Sequence, residues 1–178
     1  TVLGAGGAAI ALAMKDSLGN VASGIIILIN RPFIRGDFIE TAGASGVVQG
    51  IDLMVTTLKT YDNKIIAVPN GAITSSVLVN HTKEETRRVD FKFTVGYDSD
   101  LSKVRDTLLA VAESCPDVFK TPEPFFGVSA HGDSAIEIEF KVWCETPKYW
   151  GVKYYLQEQV KIAFDEADIN IPYPQMDI

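Results

Sequence analysis

Thr1-Val2-Leu3-Gly4-Ala5-Gly6-Gly7-Ala8-Ala9-Ile10-Ala11-Leu12-Ala13-Met14 opens the chain, and Lys15-Asp16-Ser17 follows at once. The run carries no charged side chain. As a helix it is about 21 Å long at 1.5 Å per residue, shorter than the roughly 30 Å hydrocarbon core of a bilayer, so it needs upstream residues to span one. Gly4, Ala5, Gly6, Gly7, Ala8, Ala9, Ala11 and Ala13 place a small side chain at nearly every i, i+4 step. Such spacing lets helices approach closely where lipid supplies no hydrophobic drive. A buried core helix of a soluble protein is the competing reading, but each of its glycines weakens a helix by about 1 kcal/mol relative to Ala. The run reads as a membrane helix that packs against other helices. Because the chain opens on Thr1 and shows neither a basic n-region nor a cleavage site, it is expected to be part of a longer protein, with no signal peptide.

Outward from this run, a second helical stretch begins near Ser17 and passes Gly24 into Ile25-Ile26-Ile27-Leu28-Ile29, with Arg31 and Arg35 just beyond. Basic residues past an apolar segment mark the cytoplasmic side. Lys15-Asp16 followed by Ser17, a favourable N-cap, predicts that one helix ends and another begins there, with a bend between them. The first 36 residues sum to +2, residues 37–85 to −3 and residues 86–178 to −6. The whole, 178 residues with 16 basic and 23 acidic side chains, carries −7, which argues against a nucleic-acid partner because phosphate binders cluster basic surface. Its 47% hydrophobic content excludes disorder, and its length allows one to two domains.

Beyond Arg31-Pro32-Phe33 the patterning is that of folded, water-facing protein. Phe38 to Thr41, Gly46 to Ile51, Met54 to Tyr61, Ile65 to Val68 and Val77 to Val79 read as short strands, and Asp62-Asn63 and Pro69-Asn70-Gly71 read as turns. Five strands in so few residues predict a small barrel or half-barrel. Then the period changes. Val89, Phe91, Phe93 and Val95 alternate with polar residues, whereas Leu101, Val104, Leu108, Val111 and Ala112 recur at helical spacing behind the caps Ser99 and Asp100. Phe126 to Ser129 and Ile136 to Val142 read as strands and Tyr149 to Ala167 as a helix, a βαββα order close to a ferredoxin-like fold. The tail Ile171-Pro172-Tyr173-Pro174-Gln175-Met176-Asp177-Ile178 is excluded from an interior strand because proline lacks the donor, so it is expected to leave the domain.

Few residues invite chemistry. Gly4-Ala5-Gly6-Gly7-Ala8-Ala9 fits G-x-G-x-x-A, and a truncated dinucleotide-binding enzyme is one alternative. It lacks the preceding strand and has Asn30 where an acid should take the ribose. His81 and His131 read as solvated turn residues, Cys115 and Cys144 as structural thiols, and Arg87-Arg88 as ion-pair partners. No disulfide framework, metal site, cofactor site or catalytic constellation emerges, so the chain is read as no enzyme. A soluble oligomeric binding module is the other alternative.

Ser17-Leu18-Gly19-Asn20, Arg31-Pro32-Phe33 with Gly36-Asp37, Val68-Pro69-Asn70-Gly71, Tyr97-Asp98-Ser99-Asp100 and Pro172-Tyr173-Pro174-Gln175-Met176-Asp177 occur in this order. Together they resemble the small-conductance mechanosensitive channels over the whole chain. The resemblance implies a membrane α-helical pore segment in two parts (residues 1–33), an Sm-like small β domain (34–83), an α/β ferredoxin-like domain (84–170) and a C-terminal strand for an axial β-barrel between subunits (171–178). It implies a homoheptamer in the cell inner (plasma) membrane, in contact with lipids, with residues after about 33 in the cytoplasm. Ions and small osmolytes would pass on hypo-osmotic shock, with no cofactor. Ala8, Leu12 and Asp16 share one helix face at i, i+4 spacing. The family's apolar constriction falls on Ala8 and Leu12, of which Leu12 alone is bulky. Lys15, Asp16 and Gly24 fall on pore-lining or hinge positions.

Overall fold

The computed structural model describes residues 2–176 and 178; Thr1 and Asp177, which belong to the expected pore segment and terminal strand, lie outside the described residues. The chain divides into two units, Thr1–Lys83 and Glu84–Ile178.

The first unit begins with helices α1 (Val2–Ala13) and α2 (Lys15–Asn30), bent by 56° at Met14. Among the described residues no single helix is long and apolar enough to cross a membrane, but the bent pair together is, by length and composition. The break precedes Lys15, so Ser17 lies inside α2 and is not its cap, a correction to the expected boundary. The backbone needs no side-chain cap there, because Met14 N–H donates to the Ile10 carbonyl and Leu18 N–H to the Met14 carbonyl. At the other end Arg31 turns left-handed (φ 46°) and its N–H closes on the Ile27 carbonyl.

Strands β1 (Phe38–Thr41), β2 (Ala44–Ile51), β3 (Val55–Lys59) and β4 (Ile65–Pro69) form an antiparallel meander, and after the short helix α3 (Asn70–Thr74) strand β5 (Leu78–Asn80) pairs with β1. The order is β4-β3-β2-β1-β5. Alternation on these strands buries Ile39, Val48, Leu58 and Val68, and the same core takes Ile27 from α2, Phe33 from the exit loop and Ile73 from α3. The second helix is thus anchored in the β core by its own side chain.

The second unit holds β6 (Thr86–Val95), α4 (Leu101–Ser114), β7 (Phe125–His131), β8 (Ile136–Glu145) and α5 (Tyr149–Glu166). Its antiparallel sheet runs β6-β8-β7. Val89, Phe91, Phe93 and Val95 on β6 and Ile136, Ile138, Phe140, Val142 and Cys144 on β8 pack against Val104 and Leu108 of α4 and Val152, Leu156, Val160 and Phe164 of α5. Asp100 caps α4, accepting from the N–H groups of Ser102 (2.9 Å) and Lys103 (3.4 Å). The βαββα order is present; three strands pair among the described residues. The described residues of the tail have no regular structure, but Gln175 N–H donates to Ser134 Oγ, and just before the tail the Asn170 carbonyl accepts the Gly96 N–H.

Candidate functional site

Nothing in the described chain covers α1. Every described residue of this helix is exposed, with Leu12 at 73% and Val2 and Leu3 above 90%. An apolar helix without a polar face requires a cover of lipid, further helices or other subunits, because water alone does not solvate such a surface without penalty. Ala8 and Leu12 lie on this helix, and Lys15 and Asp16, at the start of α2, are exposed as well. Gly4 to Ala9 sit inside α1 and not between a strand and a helix, so the dinucleotide-binding alternative lacks the turn that would cradle a phosphate.

α2 is different because one face is seated on the β unit. Asn20, Ser23, Gly24 and Ile27 recur at three- and four-residue steps and turn the same way, while Leu18, Ile25, Ile26, Leu28 and Ile29 stay exposed. Asn20 Oδ1 accepts the Gly71 N–H at 2.9 Å, and Thr74 Oγ1 donates to Ser23 Oγ at 2.9 Å. A Cβ on Gly24 would meet the Leu53 carbonyl and lie 2.6 Å from Asn70 Nδ2. Gly24 is buried, and its lack of a side chain lets α2 approach the backbone of the β2–β3 turn.

Asn70 organises the other side of this seat. It is fully buried, donates from Nδ2 to the carbonyls of Asp52 (2.9 Å) and Leu53 (3.0 Å), and accepts from Thr56 Oγ1 at 2.8 Å. A buried amide with three partners fixes the turn that faces Gly24. Pro69-Asn70-Gly71 opens a helix rather than a turn of positive φ, and a Cβ on Gly71 would stand 3.0 Å from Asn20 Oδ1 and press on the contact. The Asn20 and Gly71 motifs look unrelated in the sequence, yet they are the two halves of one contact.

The remaining candidates have structural surroundings. Cys115 and Cys144 are buried free thiols, and burial pushes Cys144 up, away from the thiolate. Arg87 lies 3.7 Å from the centroid of the Tyr149 ring, and Arg88 pairs with Asp90 at 2.7 Å. His81 Nε2 stands 3.5 Å from Glu40, and His131 ends β7 and not a turn. Among the described residues no group of three or more His, Cys, Asp or Glu side chains could hold a metal ion.

Uncovered apolar helices joined to a small β unit, followed by an α/β unit, define a class of chain built to act with other polypeptides or lipid around its first 30 residues. Residues 16–83 match the β-domain of the mechanosensitive ion channels, and residues 89–171 match the C-terminal domain of the mechanosensitive ion channel MscS. The chain is 37% identical over 177 residues to an uncharacterized MscS family protein of Synechocystis sp., covering 99% of this chain and 60% of that one. It is 35% identical over 174 residues to a small-conductance mechanosensitive channel of Edwardsiella ictaluri, covering 98% and 61%. The crystal structure of Helicobacter pylori MscS in its closed state superposes with a TM-score of 0.93 at 34% identity, covering 100% of this chain and 71% of that one. This chain belongs to the MscS family of mechanosensitive ion channels and has its β-domain and C-terminal domain. It spans about three fifths of the length of the curated relatives named here.

Proposed function

We propose that this chain forms the pore-lining and cytoplasmic part of a membrane channel that opens under tension and releases ions and small osmolytes. The observation that carries the reading is the wholly exposed, charge-free α1 joined to an α2 that hydrogen bonds to a folded β unit. In this reading residues 1–33 line the pore, residues 34–83 form an Sm-like domain, residues 84–170 a ferredoxin-like domain, and residues 171–178 an axial barrel strand in a homoheptamer. The protein sits in the plasma membrane among lipids, with residues after about 33 in the cytoplasm. Leu12 is the one bulky apolar residue on the line through Ala8, Leu12 and Asp16, and a ring of such side chains blocks ions by dewetting without closing sterically. Lys15 and Asp16 stand beyond this ring, at the bend. No cofactor or covalent step takes part.

Tension acts because an open pore occupies more membrane area than a closed one, so stretching the bilayer favours helices that tilt apart. Suction applied to liposome patches holding the full-length protein tests this. Discrete conductances that appear above a threshold support the reading, and silent patches at lytic tension sink it. A protein that remains dispersed and oligomeric without detergent would point to the soluble binding module instead.

A further inference from the structure

The exit of α2 is tied down a second time, at a place its apolar contacts do not explain. Asp37 lies just before β1, half-buried, and its carboxylate has three donors: Ile34 N–H at 3.0 Å and Asn80 Nδ2 at 2.8 Å on Oδ2, and Thr82 Oγ1 at 3.1 Å on Oδ1. Each partner is itself engaged. Asn80 Nδ2 also reaches the Pro32 carbonyl (3.2 Å), and its Oδ1 accepts from the N–H groups of Thr82 and Lys83, both at 3.0 Å. Thr82 Oγ1 accepts the Phe38 N–H at 3.0 Å, and Lys83 Nζ donates to the Arg31 carbonyl at 3.3 Å. Residues 31–38, by which the chain leaves α2, are thereby stitched to residues 80–83, by which it leaves β5.

Burial of Phe33 already holds this loop in the core, but apolar burial is non-directional. A carboxylate bound by three donors fixes direction, and removing its charge weakens all three bonds at once. Burial pushes the Asp37 carboxyl up, but hydrogen bonds from Asn80, Ile34 N–H and Thr82 and the charge of Lys83 outweigh it and hold the group below its ordinary value. The clasp is therefore charged at any pH at which a cell operates.

We infer that Asp37 is a positioning residue that fastens the exit of the pore helix to the last strand of the β unit, so that α2 and the β unit move as one body during gating. The inference rests on the channel reading above. With the clasp intact, a tilt of α2 must carry β5 with it; with the clasp broken, α2 tilts against less resistance.

The test uses full-length protein and two variants, Asp37→Asn and Thr82→Val, singly and together. Asp37→Asn keeps the shape but removes the charge and replaces one acceptor oxygen with an NH2 donor, and Thr82→Val keeps the carboxylate while removing one of its three donors. Hydrogen exchange should quicken by about tenfold or more at residues 34–38 and 80–83 in either variant, the size of one hydrogen bond to a charged group. Exchange within β3 should stay unchanged. Both variants should open at lower tension than wild type, and the double variant should fall no further than the more affected single one, because all act on one network. If Asp37→Asn does not assemble, Thr82→Val carries the same comparison. A wild-type threshold in the variants, or a double variant whose shift is the sum of the two, overturns the inference while leaving the channel reading intact. Wild-type protein that does not gate overturns both.

Discussion

At Leu12 one side chain is set against its whole surroundings. It is the largest apolar group on the line through Ala8 and Asp16, and it is exposed in a helix that has no polar residue to share the work of excluding water. We therefore expect Leu12→Ser to open at lower tension and to leak at rest, because a hydroxyl at the ring favours wetting. Growth after osmotic downshift and patch thresholds check this, and values equal to wild type would remove Leu12 from the gate. Asp37 yields a prediction of another kind. Its folded-state carboxyl is held below its ordinary value, so the unfolded chain binds the proton more readily. The stabilisation is complete above the unfolded value of about 3.9 and is lost as pH falls through the lower, folded value. Acid unfolding of wild type should therefore steepen below about pH 4 relative to Asp37→Asn, whose stability lacks this proton linkage. Parallel acid titrations of the two proteins would contradict the assignment.

Between elements, the seat of α2 against α3 and the β2–β3 turn depends on what is missing from Gly24. A methyl group there gains helix propensity of about 1 kcal/mol but meets the Leu53 backbone carbonyl, and overpacking of a rigid site costs about 1 to 3 kcal/mol. The clash should win, so Gly24→Ala lowers the unfolding temperature of the purified protein. Gly19→Ala, with nothing within 4 Å of its Cβ, should raise it or leave it unchanged. Equal shifts for the two would show that the seat tolerates a side chain. Much of this architecture is legible in the sequence, because strands with one buried face must alternate: β6 and β8 alternate over ten residues each, and α5 buries Val152, Leu156, Val160 and Phe164 at four-residue steps. What escaped the sequence is what depends on distance along the chain. Asn20 and Gly71 are 51 residues apart, and Asp37 and Asn80 are 43 apart. No local period marks either pair. α3 was hidden for the opposite reason, since Pro69-Asn70-Gly71 carries strong turn chemistry and the helix it opens is five residues long. Ala8, Leu12 and Asp16 share a face by spacing alone, and the constriction proposed there is what family resemblance implies.

Across the whole molecule, charge is the property that no single element decides. The two regions beyond residue 36 carry −3 and −6 per subunit, whereas residues 1–36 carry +2. On the open face of the β6-β8-β7 sheet the charges cancel locally: Lys92 pairs with Glu137 at 2.6 Å, Lys141 with Glu139 at 2.8 Å and Arg88 with Asp90 at 2.7 Å. The acidic excess therefore resides outside these pairs. In a heptamer this excess is multiplied sevenfold, and an enclosure lined by one sign of charge raises the local concentration of the opposite ion. If Asp16 lines the pore as proposed, it acts the same way at short range, and Lys15 beside it offsets part of that effect where both face the lumen. Screening sets the size of the effect, because the Debye length falls from about 30 Å at 0.01 M salt to about 8 Å at 0.15 M. At the lower value the charges act across most of a vestibule, and at the higher only on ions that pass close to the wall. The channel should therefore prefer cations in dilute salt, with the permeability ratio moving toward unity as salt is raised. Reversal potentials in asymmetric KCl, recorded at two ionic strengths, measure this directly. Firm anion preference in dilute salt would mean that the acidic residues face away from the permeation path, and would reject the prediction.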